Sequence, residues 1–434
     1  MFKSKFIRDK NYLLLFFGNL VSGVGSRVYG FGISLFLLDL TGKASSTAIY
    51  FSIWSIVIFV FSPIAATFTD RWKNKAKILY WMDYGRGFFY ALTAILVMIG
   101  LNTGNSNLVL ITVYTAVFAI GIQTAFFSPA VTALVPIIVE RDELVSASSI
   151  MQITRSIQNI AGLLFGALLY VKFGIVILMF INAGSFILSA ISEMFIKVNY
   201  KENIEHNIKT PVKEIPKRIW NDLKGAVVYL VHKGKPILMV TLIILFSSTL
   251  VSPWFAIGVP YMFKEYFNFN NFTPEYLLAS AEFVESIGVI LMSLVVAQIA
   301  ARFKIYQLIR VGGLLFIVIG VSYYMVIKGF DTNILTENSF VFIFIGINFI
   351  SGMVNAIINA PLNASLQKYI EPNMIGKVSV LIDSFGGLLF PVTALITGYL
   401  LDNKGLYPSI IVMVIGIALI TLVAFKSKEL KKMA

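Results

Sequence analysis

An all-α integral membrane protein of twelve transmembrane helices is predicted by three features of this sequence: its composition, the spacing of its apolar runs and the alternation of its basic residues between loops. Of 434 residues, 58% are apolar and 13% charged, against about 45–50% and roughly 25% in an ordinary globular chain. Water is therefore not its main solvent. One crossing of the ~30 Å hydrocarbon core takes about 20 helical residues. Apolar runs of that length recur near 12–38, 46–69, 78–100, 108–134, 144–170, 174–196, 236–262, 275–300, 305–328, 340–366, 377–401 and 406–425.

The positive-inside rule tests that count, because a wrong number of spans would scramble Lys and Arg between alternate loops. With both termini in the cytoplasm, 26 of the 35 basic residues fall on that side. They include Lys3, Lys5, Arg8 and Lys10, the turn from Arg71 to Lys77, the loop from Lys197 to Lys235 and the tail from Lys426 to Lys432. The outer loops take five (Lys43, Lys172, Lys264, Lys328 and Lys404), and Arg27, Arg86, Arg155 and Arg310 fall inside spans. The net charge of +13 is thus a topology signal and calls for no nucleic-acid partner. There is no cysteine, which excludes disulfides and thiolate metal sites. The first apolar run is too long for a signal-peptide core of about 7–15 residues and reads as an uncleaved span.

The polar segment from Asn199 to Lys235 divides the chain into a six-helix bundle at 1–198, a linker at 199–235 and a second six-helix bundle at 236–434. In the later part of the linker, Ile219, Leu223, Val227 and Leu230 recur on one helical face, as in an amphipathic helix lying on a membrane surface. The two halves echo one another. Ser128-Pro129-Ala130, an acidic and basic turn at Glu140 to Glu143 and a helix ending in Leu163-Leu164-Phe165-Gly166 are matched by three later features: Ala360-Pro361-Leu362, Glu371 to Lys377, and Leu388-Leu389-Phe390-Pro391. Parallel six-span repeats with a site between them near the midplane are a known transporter architecture.

The turn after the second span, Ala66-Thr67-Phe68-Thr69-Asp70-Arg71-Trp72-Lys73-Asn74-Lys75-Ala76-Lys77, resembles the Asp-Arg and basic signature of the major facilitator superfamily. Ala66 and Lys73 stand where that family usually has glycines. The stretch from Gln123 through Ser128-Pro129-Ala130 and Pro136 to Glu143-Leu144-Val145-Ser146-Ala147, then Gly162 and Gly166, and Gly376-Lys377-Val378-Ser379 later, is similar to the branch containing macrolide-efflux proteins. The resemblance covers nearly the whole chain. It implies the major facilitator fold and a monomer in the cell membrane. It also implies export of a small amphiphilic substrate in exchange for protons, with no cofactor and no metal. It further implies that helices 1, 4, 7 and 10 line a cavity, with helix 5 near 8 and helix 2 near 11. Asp70 and Arg71 would then form a cytoplasmic gate that latches the bundles when the cavity faces outward.

Charged residues inside the membrane cost at least ~2.5–3.5 kcal/mol each and mark function or pairing. Arg27 and Arg155 lie near the midplane of the first half. Glu282 and Glu285, three residues apart on one face, and Asp383 lie in the second half. Under the implied fold, Arg155 and Glu285 would face one another across the cleft, either as a static bridge or as a pair remade during the cycle. A buried carboxylate suits proton coupling because burial raises its pKa and an adjacent cation lowers it. Glu285, the deeper acid, is the first candidate, followed by Glu282 and Asp383. His206 and His232 are both in the linker. Polar candidates for substrate binding are Arg27, Asn19 and Ser26, Gln123, and Asn348, Asn355 and Asn359, since unpaired amides are costly in hydrocarbon. Tyr29, Phe126, Phe127 and Trp254 could stack on a substrate. Asp83 and Arg86 read as a local structural pair at i and i+3. Arg310 and Glu193 stand close enough to helix ends to snorkel. Gly162 and Gly166 read as a helix-packing motif.

No G-x-x-x-x-G-K-[ST] loop and no His-Glu-x-x-His motif is present, which argues against an ATPase and a metalloprotease. Six plus six spans with charges of opposite sign suit alternating access better than a channel. The reading is a secondary transporter: a drug exporter, or alternatively an exporter or flippase of an endogenous amphiphile such as a lysolipid, peptide or siderophore. The topology is open to direct test because the chain has no native cysteine. A His206→Cys variant should react with a membrane-impermeant maleimide in inside-out vesicles and stay unlabelled in intact cells. Labelling of intact cells would overturn the assignment.

Overall fold

The computed structural model describes residues 8–72, 74–140, 143–197, 215–232 and 234–431. It is 91% helix, with no strand among the described residues. Backbone groups in hydrocarbon have no water to bond to, so helices that satisfy their own N–H and C=O groups are the expected solution. The helices are α1 (Lys10–Thr41), α2 (Ala44–Arg71), α3 (Lys75–Asn102), α4 (Ser106–Ile138), α5 (Leu144–Met194), α6 (Ile215–His232) and α7 (Lys235–Pro253). They continue as α8 (Val259–Tyr261), α9 (Pro274–Arg302), α10 (Ile305–Asp331), α11 (Glu337–Tyr369), α12 (Pro372–Lys404), α13 (Leu406–Lys426) and α14 (Lys428–Lys431). Two π-helical turns, Trp254–Gly258 and Met262–Tyr266, flank α8 and carry the α7 span on to Tyr266.

Eleven helices among the described residues are long and apolar enough to cross a membrane. Helix α5 holds two of the twelve predicted crossings. It runs for 51 residues and bends at Gly174, whose φ of 71° and ψ of 179° are essentially reserved for glycine. At about 1.5 Å per residue, 51 residues would reach ~77 Å, more than twice the ~30 Å core. The bend therefore separates two spans. Outward-facing Leu294 and Phe342 are 73% and 75% exposed, the surface expected where the solvent is lipid.

The chain forms two compact units. The first comprises 1–41 and 53–216, the second 42–52 and 217–434. In the first, α1 lies against both arms of α5. A methyl group on Gly162 would overlap the Arg27 Cβ, and one on Gly166 would come within 2.9 Å of the Phe31 Cβ. The paired glycines are thus a packing motif, as the sequence suggests. The Tyr170 hydroxyl donates to Asp39 Oδ2 at 2.5 Å, and Ser192 Oγ donates to the Leu14 carbonyl at 2.8 Å. Tyr12, Leu15, Leu79, Phe127, Leu134 and Ile196 close one end of this unit as an apolar cluster.

In the second unit α9 and α11 cross at Gly288 and Gly352, where each helix meets the other's backbone. The first residues of α2 belong here too. Asp402 of α12 accepts hydrogen bonds from the Ala44 and Ser45 amides at 2.7 and 3.1 Å, capping the N-terminus of α2 with a charge that its dipole favours. Helix α6 packs Ala226 and Leu230 against Ile237, Ile370, Val378 and Leu381. Of the predicted apolar face, Leu230 is buried and Val227 is 39% exposed, while the side chains of Ile219 and Leu223 lie outside the described residues. The Tyr229 hydroxyl accepts from the Glu371 amide at 3.2 Å, just before α12.

The glycine crossing gives a prediction. Gly352→Ala places a methyl group inside the α9 backbone and should lower the melting temperature by the equivalent of about 1–3 kcal/mol. Gly346→Ala, on the same helix with open space around it, should stay within ~0.5 kcal/mol of the parent. Equal melting temperatures for the two variants would refute the close contact.

Candidate functional site

The acids of the second unit lie on α9. Glu282 and Glu285 are both partly buried, and neither forms an ion pair within this unit among the described residues. Glu285 is the better anchored, because its carbonyl sits directly over Gly352 of α11. Tyr323 of α10 is within electrostatic reach of Glu285. The Tyr323 ring is fully buried, and its hydroxyl has the Ser351 side chain of α11 within reach. Phe344 of α11 packs on Tyr323 at 5.3 Å between ring centroids. This aromatic layer continues through Phe263, Phe340 and Phe330, so Glu285 emerges beside a rigid apolar wall.

The amides predicted to bind substrate occupy different settings. Asn348 is buried and donates to the Phe344 carbonyl of its own helix at 2.8 Å. Asn359 donates to Asn355 Oδ1 at 2.7 Å, so these two act as one polar unit one turn apart. Trp254 opens the first π-helical turn. It is 1% exposed and folds against Gly258, with its indole N–H unpaired among the described residues. A π-turn widens the helix by one residue and often marks a functional position.

In the first unit, Arg27 of α1 and Arg155 of α5 are both exposed and close enough for their charges to interact. Neither has an ion-pair partner within that unit among the described residues. Asn19 lies two turns before Arg27 and is held by Gln158, whose Nε2 donates to the Asn19 carbonyl at 2.8 Å and to its Oδ1 at 3.2 Å. Ser26 Oγ donates to the Ser22 carbonyl at 2.8 Å. The Gln123 amide of α4 rests on Gly85 of α3. Arg27, Arg155 and the Asn19–Gln158 pair thus form one polar patch on the α1–α5 face. The side chains of Asp70, Arg71 and Asp383 lie outside the described residues.

Two expectations about lesser charges change. Glu193 does not snorkel. It is 0% exposed, turned toward Asp83 and Arg86 of α3 because that helix covers the last turns of α5. Arg310 is bound rather than free: Nε and Nη2 donate to the Ala424 and Phe425 carbonyls at 3.1 and 2.8 Å, neutralising the C-terminus of α13. Gln158 and Tyr323 were not singled out in the sequence. Gln158 had a signal, since it lies three residues after Arg155 on the same face. Tyr323 had none, because its role depends on which helix faces Glu285.

A chain of long apolar helices in two units, with ionisable and amide side chains set inside the membrane-spanning segments, defines a polytopic membrane transporter. The Major Facilitator Superfamily model matches residues 15–392, and the chain belongs to that superfamily. It is 26% identical over 390 residues, 87% of this chain and 82% of the relative, to YkuC of Bacillus subtilis (strain 168), an uncharacterized MFS-type transporter. Among solved structures it is similar to a bacterial homologue of the iron transporter ferroportin in its inward-facing state, with a TM-score of 0.70, 16% identity and coverage of 97% and 98% of the two chains. It is also similar to the nucleoside transporter NupG, with a TM-score of 0.66, 12% identity and the same coverage.

Proposed function

We propose that this transporter is a proton-coupled exporter of amphiphilic small molecules, of the macrolide or multidrug efflux type. It would work by alternating access in the cell membrane, with both termini and the 199–235 segment cytoplasmic. The observation that carries the coupling is the pair of α9 carboxylates, Glu282 and Glu285, partly buried in a membrane span with no ion-pair partner in their own unit among the described residues. Such a carboxylate is stable in hydrocarbon when protonated and costly when ionised, so it loads and unloads with access to water. Glu285 is the principal carrier, Glu282 its neighbour and Asp383 a third acid. Arg155 supplies the counter-charge, and Asp70 with Arg71 forms the cytoplasmic gate. Arg27, Asn19, Gln123, Trp254, Asn348, Asn355 and Asn359 are the residues proposed to meet substrate. The direction of transport rests on the resemblance of the Gln123 to Ala147 segment to macrolide-efflux proteins.

A second reading, an exporter or flippase of an endogenous amphiphile with an anionic group, draws support from Arg27 and Arg155. Two exposed guanidiniums within range of one another are a natural seat for a carboxylate or phosphate.

The coupling is tested with Glu285→Gln, which keeps size and hydrogen bonding but cannot release a proton. Reconstituted in vesicles, this variant should lose uphill transport while retaining downhill exchange. If it still pumps against a gradient, the carrier is Glu282 or Asp383. Substrate charge is tested by thermal shift of the purified protein against cationic, neutral and anionic amphiphiles, since a ligand at 100 times its Kd stabilises by about 2.7 kcal/mol. Stabilisation by anionic members alone, lost in Arg27→Gln, would select the second reading.

A further inference from the structure

Three ionisable groups share a sealed space inside the first unit, away from Arg27 and Arg155. Asp83 and Arg86 come from α3 and Glu193 from α5, with 0%, 6% and 0% exposure. Arg86 Nη2 donates to Asp83 Oδ1 in an ion pair. The guanidinium carbon of Arg86 lies 4.1 Å from the centre of the Phe127 ring of α4 and 4.4 Å from that of Phe186 of α5. Both rings favour the cationic form. The charges acting on Glu193 are those of Asp83 and Arg86, with Ser189 of its own helix alongside both acids. Helix α1 presents Gly18 to Ser189, and α4 presents the Phe127 ring. Phenols adjoin this space among the described residues, and Tyr90 of α3 stacks on the Phe186 ring at 5.6 Å between centroids. Tyr84 donates to Met194 Sδ at 3.0 Å, and Tyr12 sits in the adjoining apolar cluster.

Counting charge decides what this arrangement can be. One guanidinium neutralises one carboxylate, and Asp83 already holds that place. Glu193 remains, with no cation of its own and only the Ser189 hydroxyl of its own helix within reach among the described residues. Arg86 Nε is unpaired among the described residues. A second bare carboxylate enclosed by helices and aromatic rings is too costly to persist, whereas a carboxylic acid is not.

We propose that Asp83, Arg86 and Glu193 form a proton-binding site of the first unit, in which two carboxyl groups hold one exchangeable proton and the guanidinium pairs with whichever is ionised. When Arg86 is on Asp83, the proton is on Glu193. When Arg86 turns its free Nε to Glu193, the O–H bond of Glu193 breaks and the same proton passes to Asp83, with no change in total charge. Release of the proton to water leaves two carboxylates on one guanidinium. Ser189, Ser185 and Asn182, spaced at three and four residues on the buried face of α5, extend hydrogen-bonding groups away from Glu193 toward the middle of the span. At the near end of this row the Ser189 hydroxyl lies within reach of both acids, and at its far end Ser185 Oγ donates to the Asn182 carbonyl at 2.8 Å. This site is independent of Glu282 and Glu285 and stands whether or not they couple transport.

The test is infrared difference spectroscopy of the purified full-length protein in lipid nanodiscs between acidic and alkaline pH. A protonated-carboxyl carbonyl band should be lost in Glu193→Gln and in Asp83→Asn, and should persist in the Glu282→Gln/Glu285→Gln double variant. Each single variant leaves one carboxylate for one guanidinium and should melt within a few degrees of wild type, while Asp83→Asn/Glu193→Gln strands Arg86 and should melt well below both. The proposal is overturned by a band unchanged in the single variants. It is equally overturned by a single variant that fails to fold, which would mean both acids are ionised and structural, or by a double variant as stable as wild type.

Discussion

Close approach of helix backbones is the contact on which this protein's interior depends. In hydrocarbon no apolar drive pulls helices together, because lipid tails are as apolar as leucine, so cohesion has to come from shape and from polar groups that find partners. Each unit meets that requirement at glycine. Gly162 lets α5 reach the α1 backbone beneath Arg27, and Gly352 lets α11 reach the α9 backbone beneath Glu285. In both cases the residue over the glycine is ionisable. At these two crossings the backbone that carries the charge is held in place without a partner for the charge itself.

The polar groups divide by how they are satisfied. Asp402 spends its charge on a helix terminus, and Arg310 does the same with opposite sign at α13. Gln158 fastens Asn19 across two helices. These groups hold structure. Glu285, Glu282, Arg27 and Arg155 have no such local partner within their own units among the described residues, and ionisable groups left that way inside a membrane are retained for function.

The fold class was legible because lipid imposes a harsh grammar: span length, basic loops and the absence of long soluble insertions left few alternatives. The join at Gly174 was also visible, as a polar break between two apolar runs, although the helix continues on either side of it. Side-chain roles were harder. Glu193 lies within a turn of a helix end, and by that measure it should reach water. It is buried because α3 covers it, a fact that no local pattern encodes. The stripe Asn182, Ser185, Ser189 and Glu193 was nonetheless present at helical spacing, and a polar stripe on an otherwise apolar span points to a protein-facing side. The burial of Ala226 on α6 has the same origin, contact with Ile237, Ile370 and Val378. Tyr323 and Asp402 depend wholly on tertiary placement.

The crossing of α9 and α11 also limits what Glu285 can do. Its carbonyl rests where Gly352 has no side chain, flanked along α11 by Ser351 and Met353. A screw displacement of α11 by one residue would turn one of those side chains into the opposing backbone, so the pair behaves as a single plank with a fixed register. The freedom left to the carboxylate is torsional. Its oxygens can sweep an arc set by three side-chain dihedrals about a Cα that stays put, so a change in its surroundings must come from rotation of that side chain or from what is brought up to it.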